Sequence, residues 1–175
     1  MVSVLGAGSE RATGFAVASG EVVTVAHAIP PDDAVRVQVG PGTPRRARVL
    51  RMDVRADLAL LAVPRLRGSV VETATTGDGN QVRVVAARGR RVVTMAASVR
   101  RPIDARVSAP GAERALRRPA LELEARTRAG DSGAPVVSEG GEVVGVLFAR
   151  SRNEADTAYA LDARALVELL ANAGG

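Results

Sequence analysis

Apolar and polar residues alternate with a period of two along much of this chain, in short runs interrupted by glycine, proline and polar turn residues. Val35-Arg36-Val37-Gln38-Val39 is the plainest example: every second side chain is apolar, as a strand with one buried face requires. Val2–Leu5, Phe15–Ala18, Val22–Ala26, Arg46–Leu50 and Leu58–Val63 complete a first set of predicted strands. A turn-rich stretch carrying Pro64, Gly68, Gly77, Gly79 and Asn80 then leads to a second set. That set is Gln81–Ala86, Arg91–Val99, Leu121–Glu124, Ala134–Val137, Val143–Phe148 and Tyr159–Leu161. Strands this short, numerous and regularly punctuated predict an all-β barrel or sandwich. Asp104–Pro119, with Pro110, Gly111, Arg117 and Arg118, is expected to be an exposed loop.

Helical periodicity is strong only near the C-terminus. Asp162 can serve as N-cap, Leu166, Leu169 and Leu170 fall on one face, and Gly174-Gly175 lies beyond the end. This helix is expected to be structural, a lid on the second half of the chain.

At 175 residues the chain can form one large domain or two small subdomains with a shared interface. Aromatics are only 2%, so the core must be built from Val, Leu and Ala. No apolar run approaches the roughly 18 residues that cross a bilayer, and Met1–Gly6 lacks the basic start and apolar centre of a signal peptide. No membrane contact is expected of the chain itself. With no cysteine and one histidine, neither a disulfide, a thiolate metal site nor a His-rich site is expected, and no cofactor is called for. The net charge of +5 comes from 24 basic residues, all Arg, scattered through predicted strands and loops. Without a nucleic-acid-binding motif or an aromatic stacking platform, no nucleic-acid partner is expected.

The chemistry concentrates in three segments. Gly130-Asp131-Ser132-Gly133-Ala134-Pro135 offers a serine between two glycines, which permit a tight turn that exposes its hydroxyl and neighbouring amides. The N–H groups of Gly130 and Ser132 are the candidates for an oxyanion hole. His27, the only histidine, ends the apolar run Val22–Ala26 just before Ala28-Ile29-Pro30-Pro31, a strand end beside a loop. Asp57 borders Leu58-Ala59-Leu60-Leu61, where a carboxylate is costly unless paired. Holding the Nδ1 proton of His27 would pair it; Asp53 is the nearest competitor. A serine hydroxyl becomes a nucleophile when a base removes its proton and a third group orients that base. The chain order His27, Asp57, Ser132, with separations of 30 and 75 residues, is that of the chymotrypsin-type triad.

Together with Thr13-Gly14-Phe15, Asp57–Val63, Val143–Phe148 and Ala158-Tyr159-Ala160-Leu161, these segments resemble the bacterial trypsin-like serine proteases of the HtrA/Deg type, without a PDZ module. Within them the actinobacterial acid-resistance periplasmic serine proteases are the nearest in character. The resemblance runs from Val2 to the terminal helix. It implies a single protease domain of two six-stranded antiparallel Greek-key barrels, residues 1–66 and 81–161, with a connection at 67–80 and a C-terminal helix at 162–173. The cleft between the barrels would hold His27, Asp57 and Ser132, and the activity implied is that of a serine endopeptidase working through an acyl-enzyme on polypeptide substrates. The alternative is a protease-fold binding or sensor module with weak or no turnover. A monomer is expected, and the family implies the cell envelope, periplasm or secretion.

Two departures from the family pattern stand out: Ala134 replaces a usual Gly or Ser, and Phe148 stands where digestive enzymes carry a serine that supports the catalytic Asp. Asp57 is therefore expected to lack one hydrogen bond. By position, Arg126, Thr127, Phe148, Ala149, Arg150 and Ala158 are the candidate substrate-pocket residues. They suit small or medium aliphatic side chains, or an acidic one if Arg126 or Arg150 turns inward.

Overall fold

The computed structural model describes residues 1–6, 9–30, 35–107 and 116–172. The first set of alternating segments becomes Val2–Gly6 (β1), Ser9–Ala18 (β2), Glu21–Val25 (β3), Arg36–Gln38 (β4), Arg45–Arg46 (β5), Arg48–Asp53 (β6) and Leu58–Ala62 (β7). They pair antiparallel in one sheet in the order β5-β4-β1-β2-β3-β7-β6. The second set becomes Gln81–Arg88 (β8), Arg91–Val107 (β9), Leu116–Glu124 (β10), Pro135–Val137 (β11), Val143–Arg150 (β12) and Thr157–Asp162 (β13). These six close into an antiparallel barrel, β10-β13-β12-β11-β8-β9. One helix, Ala163–Ala171 (α1), follows. The architecture is thus all-β in two lobes with a C-terminal helix, as the alternation requires.

The loop expected over Asp104–Pro119 is corrected at both ends. Asp104 to Val107 belongs to β9 and Leu116 to Pro119 belongs to β10, paired as Arg118↔Ala105 and Ala120↔Ile103; residues 108–115 lie outside the described residues. The alternation was hidden because an arginine occupies an inward position: Arg118 is buried while Arg117 and Pro119 are exposed. Nothing in a sequence window distinguishes that arginine from a solvated one.

The core follows from the lack of aromatic rings. Inside the barrel, Val82, Val84, Val99, Leu121, Leu123, Val136 and Leu147 interleave with Ala86, Ala97, Ala134, Ala158 and Ala160. Small and branched side chains together fill so narrow a barrel. β12 is apolar almost throughout because it serves two cores: Val144 and Leu147 face the barrel interior, whereas Val143, Val146 and Phe148 join the cluster that includes Val22, Leu58 and Leu61 of the first lobe. Gly145 on this strand admits no side chain, since a Cβ there would lie 2.6 Å from the Leu161 carbonyl.

The helix packs on the second half, where a lid was expected, and on the first lobe as well. Asp162 caps it, its carboxylate accepting the Arg164 N–H at 2.9 Å. Such a cap contributes about 1 kcal/mol. Leu166 and Leu169 are buried in the cluster shared with the first lobe, and α1 packs on β7 as well as on β12 and β13. Two buried leucines at about 1.5–3 kcal/mol each thus fasten the lobes together. No helix among the described residues is long and apolar enough to cross a membrane.

Candidate active site

β3 runs straight into a short 3-10 turn, Ala26–Ala28, which carries His27 out of the sheet at the edge of the cleft. β7 begins at the neighbouring strand's matching end, with Val25 opposite Leu58, so Asp57 necessarily arrives beside His27. Asp57 has a φ of 59°, a left-handed conformation that Asp adopts more readily than most residues. In that conformation all three of its oxygens face the His27 turn. Its carbonyl accepts the Ala26 N–H at 2.9 Å, Oδ1 accepts the His27 backbone N–H at 2.9 Å, and Oδ2 meets His27 Nδ1 at 2.8 Å. A carboxylate can only accept, so Nδ1 carries the proton, and in the neutral imidazole Nε2 keeps its lone pair. The imidazole is half-exposed, at 51%, while the Asp57 side chain is 9% exposed. Asp53 does not compete: its Oδ1 accepts the Ala56 N–H at 2.9 Å within its own loop.

Ser132 comes from the other lobe, on the turn before β11. Its neighbours Gly130 and Gly133 have φ of 91° and 86°, values that only glycine adopts without strain. Gly133 also needs to be bare, because a Cβ would lie 2.0 Å from the Thr13 carbonyl of β2. Thr13 holds the turn from the first lobe: its N–H donates to the Ser132 carbonyl at 2.7 Å, and its hydroxyl lies 3.1 Å from the Gly130 carbonyl. Asp131 is fully buried and braced by a bidentate Arg88, at 3.0 and 2.8 Å, and by the Arg128 N–H at 2.8 Å.

These restraints sort the amides around Ser132. The N–H groups of Asp131, Gly133 and Ala134 donate to the carbonyls of Arg128, Leu147 and Asp131. Among the described residues those of Gly130 and Ser132 have no acceptor. The Ser132 hydroxyl donates to the Phe148 carbonyl at 3.4 Å, and no hydrogen bond joins it to His27.

A cleft of about 1020 Å³ opens beside His27 and Asp57. Of the candidate pocket residues it brings together Phe148, Ala149 and Arg150; Arg126, Thr127 and Ala158 do not line it. Arg126 points to solvent, 86% exposed, and pairs with Asp156 at 2.8 Å, a contact that raises its pKa further above its ordinary value. Ala158 is buried inside the barrel. Met52, Val54, Ile103 and Tyr159 complete much of the cleft wall; isolated apolar or aromatic positions of this kind carry no signal in the sequence for such a role. The missing serine at Phe148 has a replacement of another kind: Arg118, from β10, puts its Nη1 3.6 Å from Asp57 Oδ2.

Comparison with known proteins agrees with this architecture. The family model of the trypsin-like peptidase domain matches residues 12–146. The serine protease Rv3671c of Mycobacterium tuberculosis is 32% identical over 169 residues, covering 93% of this chain and 42% of the relative, so the chain spans less than half of that protein's length. The crystal structure of the active form of the Rv3671c protease superposes with a TM-score of 0.86 at 29% identity, covering 94% of this chain and 74% of the other. The HtrA-type protease AlgW, solved with a decapeptide, shares the fold, with a TM-score of 0.77 at 16% identity over 94% of this chain and 52% of that one.

Proposed function

The chain belongs to the trypsin-like peptidase domain family, and from that premise we propose that it is a serine endopeptidase in which Ser132 is the nucleophile, His27 the base and Asp57 the group that orients it. The observation that carries this reading is the grip of Asp57 on His27, at both the backbone N–H and Nδ1, which leaves Nε2 as a free base at the mouth of the cleft. In the reactive complex the Ser132 hydroxyl has to leave the Phe148 carbonyl and donate to Nε2; such contacts are commonly loose before substrate binds. Oγ then attacks the peptide carbonyl carbon as its proton passes to Nε2. Charge develops on the carbonyl oxygen, and the unengaged amides of Gly130 and Ser132 are the donors suited to receive it. The imidazolium returns the proton to the leaving amine, an acyl-enzyme remains, and water deacylates it through the same base. Polypeptides are the substrates in this reading.

The direct test is reaction with a fluorophosphonate, which phosphonylates only an activated serine. A stoichiometric adduct on Ser132 is expected; an intact, folded protein that stays unlabelled would favour a binding module on a protease fold.

For specificity we propose small or medium aliphatic residues at the P1 position. Phe148 and Ala149 line the cleft, and Arg126 is turned away to Asp156. Arg150, which does line the cleft, is the remaining route to an acidic preference. A peptide library should show Ala, Val or Leu ahead of aromatic residues. Dominant cleavage after Lys or Arg would overturn the assignment, and a library separates the outcomes cleanly because discrimination by buried polar groups is strong.

A further inference from the structure

Arg118 is 6% exposed although it is an arginine on a barrel strand, and buried arginines need partners on every side. Its partners lie in the other lobe. Nε donates to the Arg55 carbonyl at 2.6 Å, Nη2 to the Val54 carbonyl at 3.1 Å, and Nη1 lies 3.6 Å from Asp57 Oδ2. The Phe148 ring covers the guanidinium, with its centroid 6.0 Å from Cζ. One planar group thus reads the backbone of the segment leading into Asp57 and the carboxylate itself. The rigid fork suits this task, as a single ammonium would not.

We propose that Arg118 is a positioning residue for Asp57, reaching across the cleft to fix the segment 54–57 in the conformation that grips His27 and to set a positive charge behind the carboxylate. The proposal rests on the protease reading for its effect on turnover, but its effect on His27 does not need turnover. Asp57 has two ionic partners among the described residues, His27 and Arg118. The other titratable groups around the cleft are Arg101 with its partner Glu122, Asp104 and Arg106 from the barrel wall, and Arg150 and Tyr159 from β12 and β13. Asp53 on the near side is occupied with the Ala56 N–H. A cation behind Asp57 opposes protonation of His27 by like-charge repulsion. Removing it therefore makes the imidazolium easier to form, so His27 stays protonated to higher pH.

Because His27 is the only histidine in the chain, its ring titration can be followed alone by NMR, whether or not the protein turns over. Arg118→Gln is expected to move that titration upward by about half to one pH unit. It should also lower kcat by about ten- to a hundredfold with KM little changed, since ground-state binding is not its task. Arg118→Lys keeps a charge and should leave the titration near that of the parent while still losing part of kcat. Arg117→Gln, on the exposed side of the same strand, should change neither. A folded Arg118→Gln protein with the parent's titration would overturn the proposal. If that variant fails to fold, Arg118→Lys decides: a titration moved as far as half a pH unit, or an undiminished kcat in an enzyme whose serine reacts with fluorophosphonate, overturns it. Absence of labelling in the parent protein would count against the protease reading alone, since the titration still reports on Arg118.

Discussion

Ser132→Ala is expected to abolish labelling by fluorophosphonate and to lower peptide hydrolysis by about 10⁶-fold, the order of loss that follows removal of a triad serine. The fold should be untouched. The Ser132 carbonyl still accepts from Thr13, the Gly133 and Ala134 amides keep their acceptors, and only a 3.4 Å contact to the Phe148 carbonyl disappears. Thermal unfolding should therefore shift by no more than about 1–2 °C, consistent with a surface substitution worth within about 0.5 kcal/mol. Residual hydrolysis above the uncatalysed rate should persist, because the Gly130 and Ser132 amides can still polarise a bound carbonyl. Full activity in the alanine variant would remove Ser132 from the mechanism.

Asp57→Asn should reduce kcat by about 10⁴-fold, and the contacts of Asp57 show why. If the amide oxygen takes the place of Oδ1, it keeps the His27 N–H, and the NH₂ group then faces both His27 Nδ1 and the Arg118 guanidinium. An NH₂ can only donate, so Nδ1 must surrender its proton and Nε2 must carry it. The base is then lost. If the amide is turned the other way, NH₂ opposes the His27 N–H and the turn is disrupted. Neither orientation leaves a competent imidazole. Asp53→Asn is the comparison: the Ala56 N–H needs one oxygen, and an amide supplies it, so little activity should be lost. Equal losses at the two positions would remove Asp57 from its orienting role.

The pairing of His27 with Asp57 was legible because it depends on local rules. An apolar run ending at His27 and another beginning after Asp57 mark two strand ends, and once β3 and β7 pair antiparallel, with Val25 opposite Leu58, those ends meet. The glycines around Ser132 were legible for a similar reason, since Gly-x-Ser-Gly needs the positive φ values that Gly130 and Gly133 adopt. Strand existence followed from period-two alternation, with boundaries displaced by a few residues. The extents of β9 and β10 were missed where Arg118 sits at an inward position and Pro119 and Arg117 flank it.

What the sequence by itself determined is therefore the all-β character, the helix after Asp162, and the placing of His27, Asp57 and Ser132 at strand ends and a glycine-flanked turn: each is set by backbone preferences and alternation within a few positions. What only the tertiary structure decided is how one lobe acts on the other. Thr13 holding the Ser132 turn, α1 spanning β7 and β12, and Arg118 reaching Asp57 join residues that lie far apart in the chain. An arginine, a threonine or a leucine looks the same in sequence whether it faces water or a partner. Its role is fixed by desolvation and hydrogen bonding, and those exist only once the lobes have closed on each other.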